Sequence, residues 1–337
     1  MKELKKRNNQ IDVARGIAIL IVILGHSFYS LDAPLNKIIL SFHMPLFFFL
    51  SGLLGKTAAE TRMSFGVFFI KKIRTILLPQ ILLGVISYCY YAVFTIVIKG
   101  GNIYDIDLVY QFWRYWFLQV LFVTEIVFFI LSKYINVKKI LSTVVIIVIC
   151  MICTIIIVDF AFFPDESPFY LNVTPMALMF YSSGFALKPV LVKENIGGRE
   201  SLFGKLVIII LTSCLLVVVA LHNSSVTMYN NNYGNIFLFL ISSFCGIAAV
   251  WFVSDLLRNS KALIWCGKNS IVIYVWQFSL TQFFKNIVEM IFVQMAIHIP
   301  EFFMTLSVFI VCVLVVIPIV VFSNRFIPEL YGKKRVN

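Results

Sequence analysis

Apolar residues run along this chain in blocks of about twenty, each closed by a short polar stretch, and the pattern repeats ten times in 337 residues. A run of that length is what a helix needs to cross the hydrocarbon of a bilayer. The predicted spans are 11–31, 36–54, 76–98, 113–131, 140–160, 173–187, 205–222, 234–254, 263–284 and 302–323. The sixth is short and is expected to be tilted or broken. Turn residues mark the stretches between spans, as at Lys99 to Asn102, Phe163 to Pro168 and Asn195 to Gly198. The expected architecture is an all-α polytopic membrane helix bundle, read as one domain over 1–337 without an appended soluble domain.

Charge gives the bundle a direction. With the N-terminus inside, the alternate segments on that side hold 24 of the 28 Lys and Arg residues, leaving Lys37, Lys99, Arg114 and Lys285 outside. Cytoplasmic segments carry this excess, so both termini are expected in the cytoplasm. Hydrophobic residues make up 61% of the chain and charged ones 13%, which excludes a soluble domain of this length. The net charge of +12 then follows from orientation and contact with anionic lipid, and no nucleic-acid partner is expected. The cysteines fall almost entirely in apolar segments and are read as small packing residues, with no metal expected. Lys2, Lys5, Lys6 and Arg7 precede the first apolar run, but no small-residue cleavage site follows, so that run is read as a retained span.

Within this apolar background the first span carries Asp12, Arg15 and His26, and His43 follows one short loop later. Ionisable groups are costly inside hydrocarbon, so each is a candidate functional residue. Arg15 and His26 are eleven residues apart, which returns them to nearly one helix face about 16 Å apart along the axis. Asp12, three residues before Arg15, shares that stripe. In an antiparallel pair joined by so short a loop, His26 and His43 should lie at similar depth, in the outer half of the membrane. The competing reading is packing: an intramembrane histidine can serve an interhelical hydrogen bond, and Arg15 can snorkel to lipid phosphate. The aromatic run Phe47 to Phe49 is read as lipid-facing or packing material.

The segments Asp12-Val-Ala-Arg15-Gly16-Ile-Ala, His26, and Ser41-Phe-His43-Met-Pro45-Leu-Phe-Phe-Phe-Leu-Ser51-Gly52 together resemble the signature of acyltransferase family 3. These are integral-membrane acyltransferases of cell-surface glycans and glycolipids. Lys71-Lys72-Ile-Arg74 ending at Pro79, Tyr115-Trp116-Phe117-Leu118, and Gly267-Lys-Asn269-Ser270-Ile-Val-Ile-Tyr274 extend the resemblance. Many relatives have a histidine soon after the late tyrosine, where this chain reads Val275-Trp276-Gln277. Glutamine hydrogen-bonds but is no general base.

The resemblance implies transfer of an acyl group, most often acetyl, from acetyl-CoA on the cytoplasmic side to a hydroxyl of a glycan or glycolipid at the outer side. It also implies a place in the inner membrane of a bacterium. On that reading His26 is the general base or transient acyl acceptor, Arg15 holds it or the donor, Asp12 orients Arg15, and His43 is a second candidate base. Lys71, Lys72 and Arg74, with Lys56 and Arg62, form a basic landing site for the phosphates of CoA. Ser51 and Gly52 permit close helix approach or line the donor path. The loop Asn223 to Asn235 is an acceptor-facing candidate. A flippase or transporter of lipid-linked sugars is the main alternative, although no repeat of the two halves is visible. A glycan polymerase would be expected to show a large outer loop, and a sensor would use the polar inlay for packing alone.

Overall fold

In the computed structural model, the structure describes residues 8–93, 95–96, 100, 102, 115–160, 167–193, 201–295 and 300–328. Among these the architecture is all-α. The elements are α1 (Asn9–Ser27), α2 (Pro34–Leu40), α3 (His43–Leu54), α4 (Ala58–Thr61), α5 (Phe65–Lys72), α6 (Leu78–Val93), α7 (Trp116–Tyr134) and α8 (Ile140–Phe160). They continue with α9 (Thr174–Lys188), α10 (Leu202–His222), α11 (Ile236–Leu256), α12 (Lys261–Lys268), α13 (Ser270–Met295) and α14 (Glu301–Phe326). Eight segments of the described chain are long and apolar enough to cross a membrane. They coincide with eight of the ten predicted spans, so the molecule is a polytopic membrane bundle.

The other two predicted spans take different forms. The third, 76–98, contains α6, and part of its C-terminal end lies outside the described residues. The ninth, 263–284, is two helices. α12 stops at a turn on Asn269, and α13 runs on from Ser270 for 26 residues.

α1 sits at the centre, packed against α2, α3, α11, α12, α13 and α14. This explains how Gln10 and Asp12 are buried near a helix end that would otherwise be wet. Two crossings bring backbones together through glycine pairs. A Cβ on Gly16 would overlap the Leu263 carbonyl of α12, and one on Gly267 would overlap the Asp12 carbonyl of α1. Gly52 of α3 faces the Tyr181 carbonyl of α9 in the same reciprocal way, while Gly184 of α9 faces the Phe49 carbonyl. Small residues of this kind let membrane helices gain dispersion contact that lipid would otherwise provide. Phe47, Phe48 and Phe49 are buried in this core and do not face lipid. By contrast α8 and α10 expose rows of Ile, Leu and Val outward. Cys150 and Cys153 are one turn apart on α8 and both are free thiols.

Two departures from regular helix trace to proline. The second predicted span is broken: α2 ends at Leu40, Phe42 takes φ −140° and ψ −18°, and α3 restarts at His43. Pro45 has no N–H for the carbonyl four residues back, that of Ser41, and its ring crowds that carbonyl. The Ser243 hydroxyl of α11 donates to the Ser41 carbonyl at 2.7 Å, and Gly246 leaves room for the Phe42 ring. The freed carbonyl is therefore satisfied inside the bundle, as a membrane interior requires. The second departure precedes Pro79, where the chain widens into a π-turn over Ile73–Leu77 and the Leu78 N–H reaches back to the Ile73 carbonyl.

Ion pairs gather at one end of the bundle. Lys205 meets Asp255 at 2.5 Å, Arg258 meets the same carboxylate at 3.3 Å, Lys138 meets Glu60 at 2.9 Å, and Lys72 meets Glu125. The basic members lie on the segments that the charge asymmetry assigns to the cytoplasm, while Glu125 lies within the fourth span. The opposite end holds the cavity described next.

Candidate active site

α1 delivers His26 one residue before its C-terminal end, and the broken helix delivers His43 as the first residue of α3. The two imidazoles line one cavity of about 400 Å3. That volume is in the range of small-molecule sites. Its floor and walls come from Gly25, Asn36, Leu40, Met44, Tyr115, Trp116, Tyr170, Tyr274, Gln277 and Phe278. Phe28, Tyr29, Leu31, Gln282 and Lys285 complete one side, and Val226 to Asn230 cover another.

Each histidine is held differently. His43 is buried, and its Nδ1 lies 2.9 Å from the Ile39 carbonyl, which also accepts the Phe42 N–H at 3.2 Å where the helix breaks. A carbonyl can only accept, so Nδ1 carries the proton and the neutral ring keeps its basic lone pair on Nε2. His26 is half-buried and packs edge-on against Phe278, with ring centroids 5.2 Å apart. The same helix break that fixes His43 also leaves the first turn of α3, through His43 and Met44, on the cavity wall, and that turn is the positive end of its dipole.

The cover is a built loop. Asn223 fastens both ends of the connection between α10 and α11: its Nδ2 donates to the Tyr233 carbonyl at 2.9 Å, and its Oδ1 accepts from the Asn235 N–H at 2.8 Å. Between them Thr227 and Asn232 exchange backbone bonds of 2.9 and 3.2 Å, and Asn231 takes the left-handed conformation with φ 55°. Of the segment Asn223 to Asn235, it is Val226 to Asn230 that reaches the cavity. There Tyr229 lies 6.3 Å from Trp116, which lies 6.3 Å from Tyr170, forming an aromatic wall. On the far rim Lys285 donates to the Phe28 carbonyl and sits 5.1 Å from the Tyr29 ring. Glu301 accepts from the N–H groups of Tyr29 and Ser30 at 3.1 and 2.8 Å, tying the loop after α1 to α14.

The other sequence candidates lie elsewhere. Asp12 is buried beneath Gly267 of α12, and Arg15 is half-buried further along the same helix. α1 is unbroken between Arg15 and His26, so about 16 Å separates them along the axis and Arg15 cannot hold His26 directly. Ser51 is half-buried on α3, and Gly52 is used for the crossing with α9. Lys71 and Arg74 are exposed, while Lys72 is engaged by Glu125. None of these seven lines the cavity.

Sequence reasoning did not single out Asn36, Tyr170 or Lys285, and reached Tyr229 only as part of the loop Asn223 to Asn235. The Tyr115-Trp116 patch, Tyr274 and Gln277 carried a signal, through the resemblance. Among the described residues no group of three or more His, Cys, Asp or Glu could hold a metal ion.

An integral-membrane bundle with two imidazoles in a cavity near one face is the class that fold and site define. Residues 8–323, nearly the whole chain, match the family described as an acyltransferase domain, acyltransferase family 3. The chain belongs to that family and is a membrane acyltransferase. No curated protein and no solved structure matches it.

Proposed function

We propose that this protein is an O-acetyltransferase of the bacterial inner membrane that moves acetyl from acetyl-CoA to a hydroxyl of a cell-surface polysaccharide or lipid-linked sugar. The observation that carries the reading is the meeting of His26 and His43, from two helices, in one cavity whose remaining wall is aromatic and amide-bearing. An imidazole with a free Nε2 accepts the hydroxyl proton as the oxygen attacks the thioester carbonyl. The carbon–sulfur bond then breaks, and the proton passes to the departing thiolate. The dipole at the start of α3 favours the negative charge that gathers on the carbonyl oxygen during attack. His26 is assigned as base or transient acyl carrier and His43 as its partner. Aromatic faces and amide groups are the surfaces that a sugar ring uses.

On this reading the donor enters from the cytoplasmic end, where Lys71 and Arg74 are exposed to meet phosphate, and Arg15 lies between that end and the cavity. Lys72 contributes through its pair with Glu125, by fixing α5 against α7.

The test is transfer of radiolabelled acetyl from acetyl-CoA to the host's surface polysaccharide in membranes carrying wild type, His26→Ala or His43→Ala at matched insertion. Loss of general-base help lowers transfer by roughly 10²–10⁴-fold. Full transfer by His26→Ala overturns its assignment. Absence of transfer by the wild type, with acceptor present, brings the flippase reading forward.

A further inference from the structure

Two side-chain oxygens on the cavity wall have no hydrogen-bond partner among the described residues: Oδ1 of Asn36 and Oε1 of Gln277. Both residues are about 1% exposed. Buried amide oxygens are seldom left unpaired, and each such atom asks what its partner is. The orientation of Asn36 is settled, since its Nδ2 donates to the Ser30 carbonyl at 2.9 Å and so turns Oδ1 toward α1. A Cβ on Gly25, the residue before His26, would stand 3.7 Å from that oxygen. Gln277 precedes Phe278, whose ring packs against His26. Both residues therefore line the cavity that His26 enters, each beside an immediate neighbour or packing partner of that histidine.

Both are acceptors, so what they lack is a donor. The thioester end of the donor offers a carbonyl oxygen and a sulfur but no N–H or O–H, and satisfies neither; the amide N–H groups of the donor's arm lie beyond the sulfur, and their use here would show as a rise in the KM for acetyl-CoA. A ring bearing several hydroxyls can satisfy both. We propose that Asn36 and Gln277 bind the acceptor, each taking a hydrogen bond from one hydroxyl of a polyol ring so that a hydroxyl between them is presented to the imidazoles. This rests on the acetyl-transfer reading above and adds to it the requirement that the acylated position have hydroxyl neighbours. Gln277 is then a ring-positioning residue, which suits a side chain that cannot serve as a base.

The experiment compares wild type with Gln277→Met, which keeps side-chain volume and loses the acceptor, and with Asn36→Leu. The probes are acetyl-CoA and surface polysaccharide extracted from host cells. Each variant is expected to raise the KM for polysaccharide at least tenfold, with less than a twofold change in the KM for acetyl-CoA. Gln277→Met is also expected to melt no lower than wild type, because it removes an unpaired buried oxygen. A structural glutamine would instead lower the melting temperature. An unchanged polysaccharide KM in both variants, or an equal rise in the acetyl-CoA KM, overturns the assignment. A wild type that transfers nothing overturns the reading on which it rests, an outcome separable from the first two because they require an active wild type.

Discussion

His43 illustrates how a single side chain is prepared by its neighbours. The Ile39 carbonyl fixes a proton on Nδ1, so in the neutral ring the basic lone pair is on Nε2. His43→Asn keeps a side-chain N–H for that carbonyl but has no basic nitrogen. It should insert and melt like wild type while losing most acetyl transfer; retained transfer would reduce His43 to a packing residue. Lys72 has a comparable test. Its side chain and that of Glu125 are 21% and 13% exposed, so removing one partner strands the other in a mostly dry place. Either Lys72→Met or Glu125→Met should destabilise by up to about 3 kcal/mol, and the double variant should recover most of it. If the double variant also raises the KM for acetyl-CoA, Lys72 touches the donor and is more than a brace. The histidines were legible in the sequence because ionisable groups stand out against an apolar background. Asn36 was not, because nothing in a sequence distinguishes an amide in the first turn of a helix that is solvated from one that is turned inward.

The spans were legible as elements, since hydropathy responds to the same transfer free energy that inserts a helix. The break at Phe42 was written in Pro45, although a continuous apolar run concealed it. What could not be read is which helices touch. Gly16 and Gly267 are separated by most of the chain, and each glycine alone is an ordinary membrane residue. Their pairing yields a prediction at this scale. Gly52→Ala or Gly184→Ala must push α3 and α9 apart, at a loss of about 1–3 kcal/mol. Thermal melts of the detergent-solubilised protein should show the drop, and the two changes together should total less than their sum because the same crossing opens once. Equal melting of wild type and variants would mean that the crossing is looser than described.

For the whole molecule, ion pairs at one end and an aromatic cavity at the other make a bundle with two unlike faces. Asn230→Cys, exposed on the cover, should react with a membrane-impermeant maleimide on intact cells, while Lys138→Cys should react only after permeabilisation. The reverse pattern would invert the orientation. The central place of α1 carries a further consequence, one of timing. Helix α1 is made long before three of the helices that enclose it, since its partners α12, α13 and α14 begin only at residue 261. For most of its synthesis the chain therefore waits in the membrane with its polar stripe uncovered, a state that invites chaperones and proteases. A chain interrupted before α12 would insert most of its spans and still lack the cavity wall of Tyr274, Gln277 and Phe278, so the site is complete only once the segment from residue 261 is made.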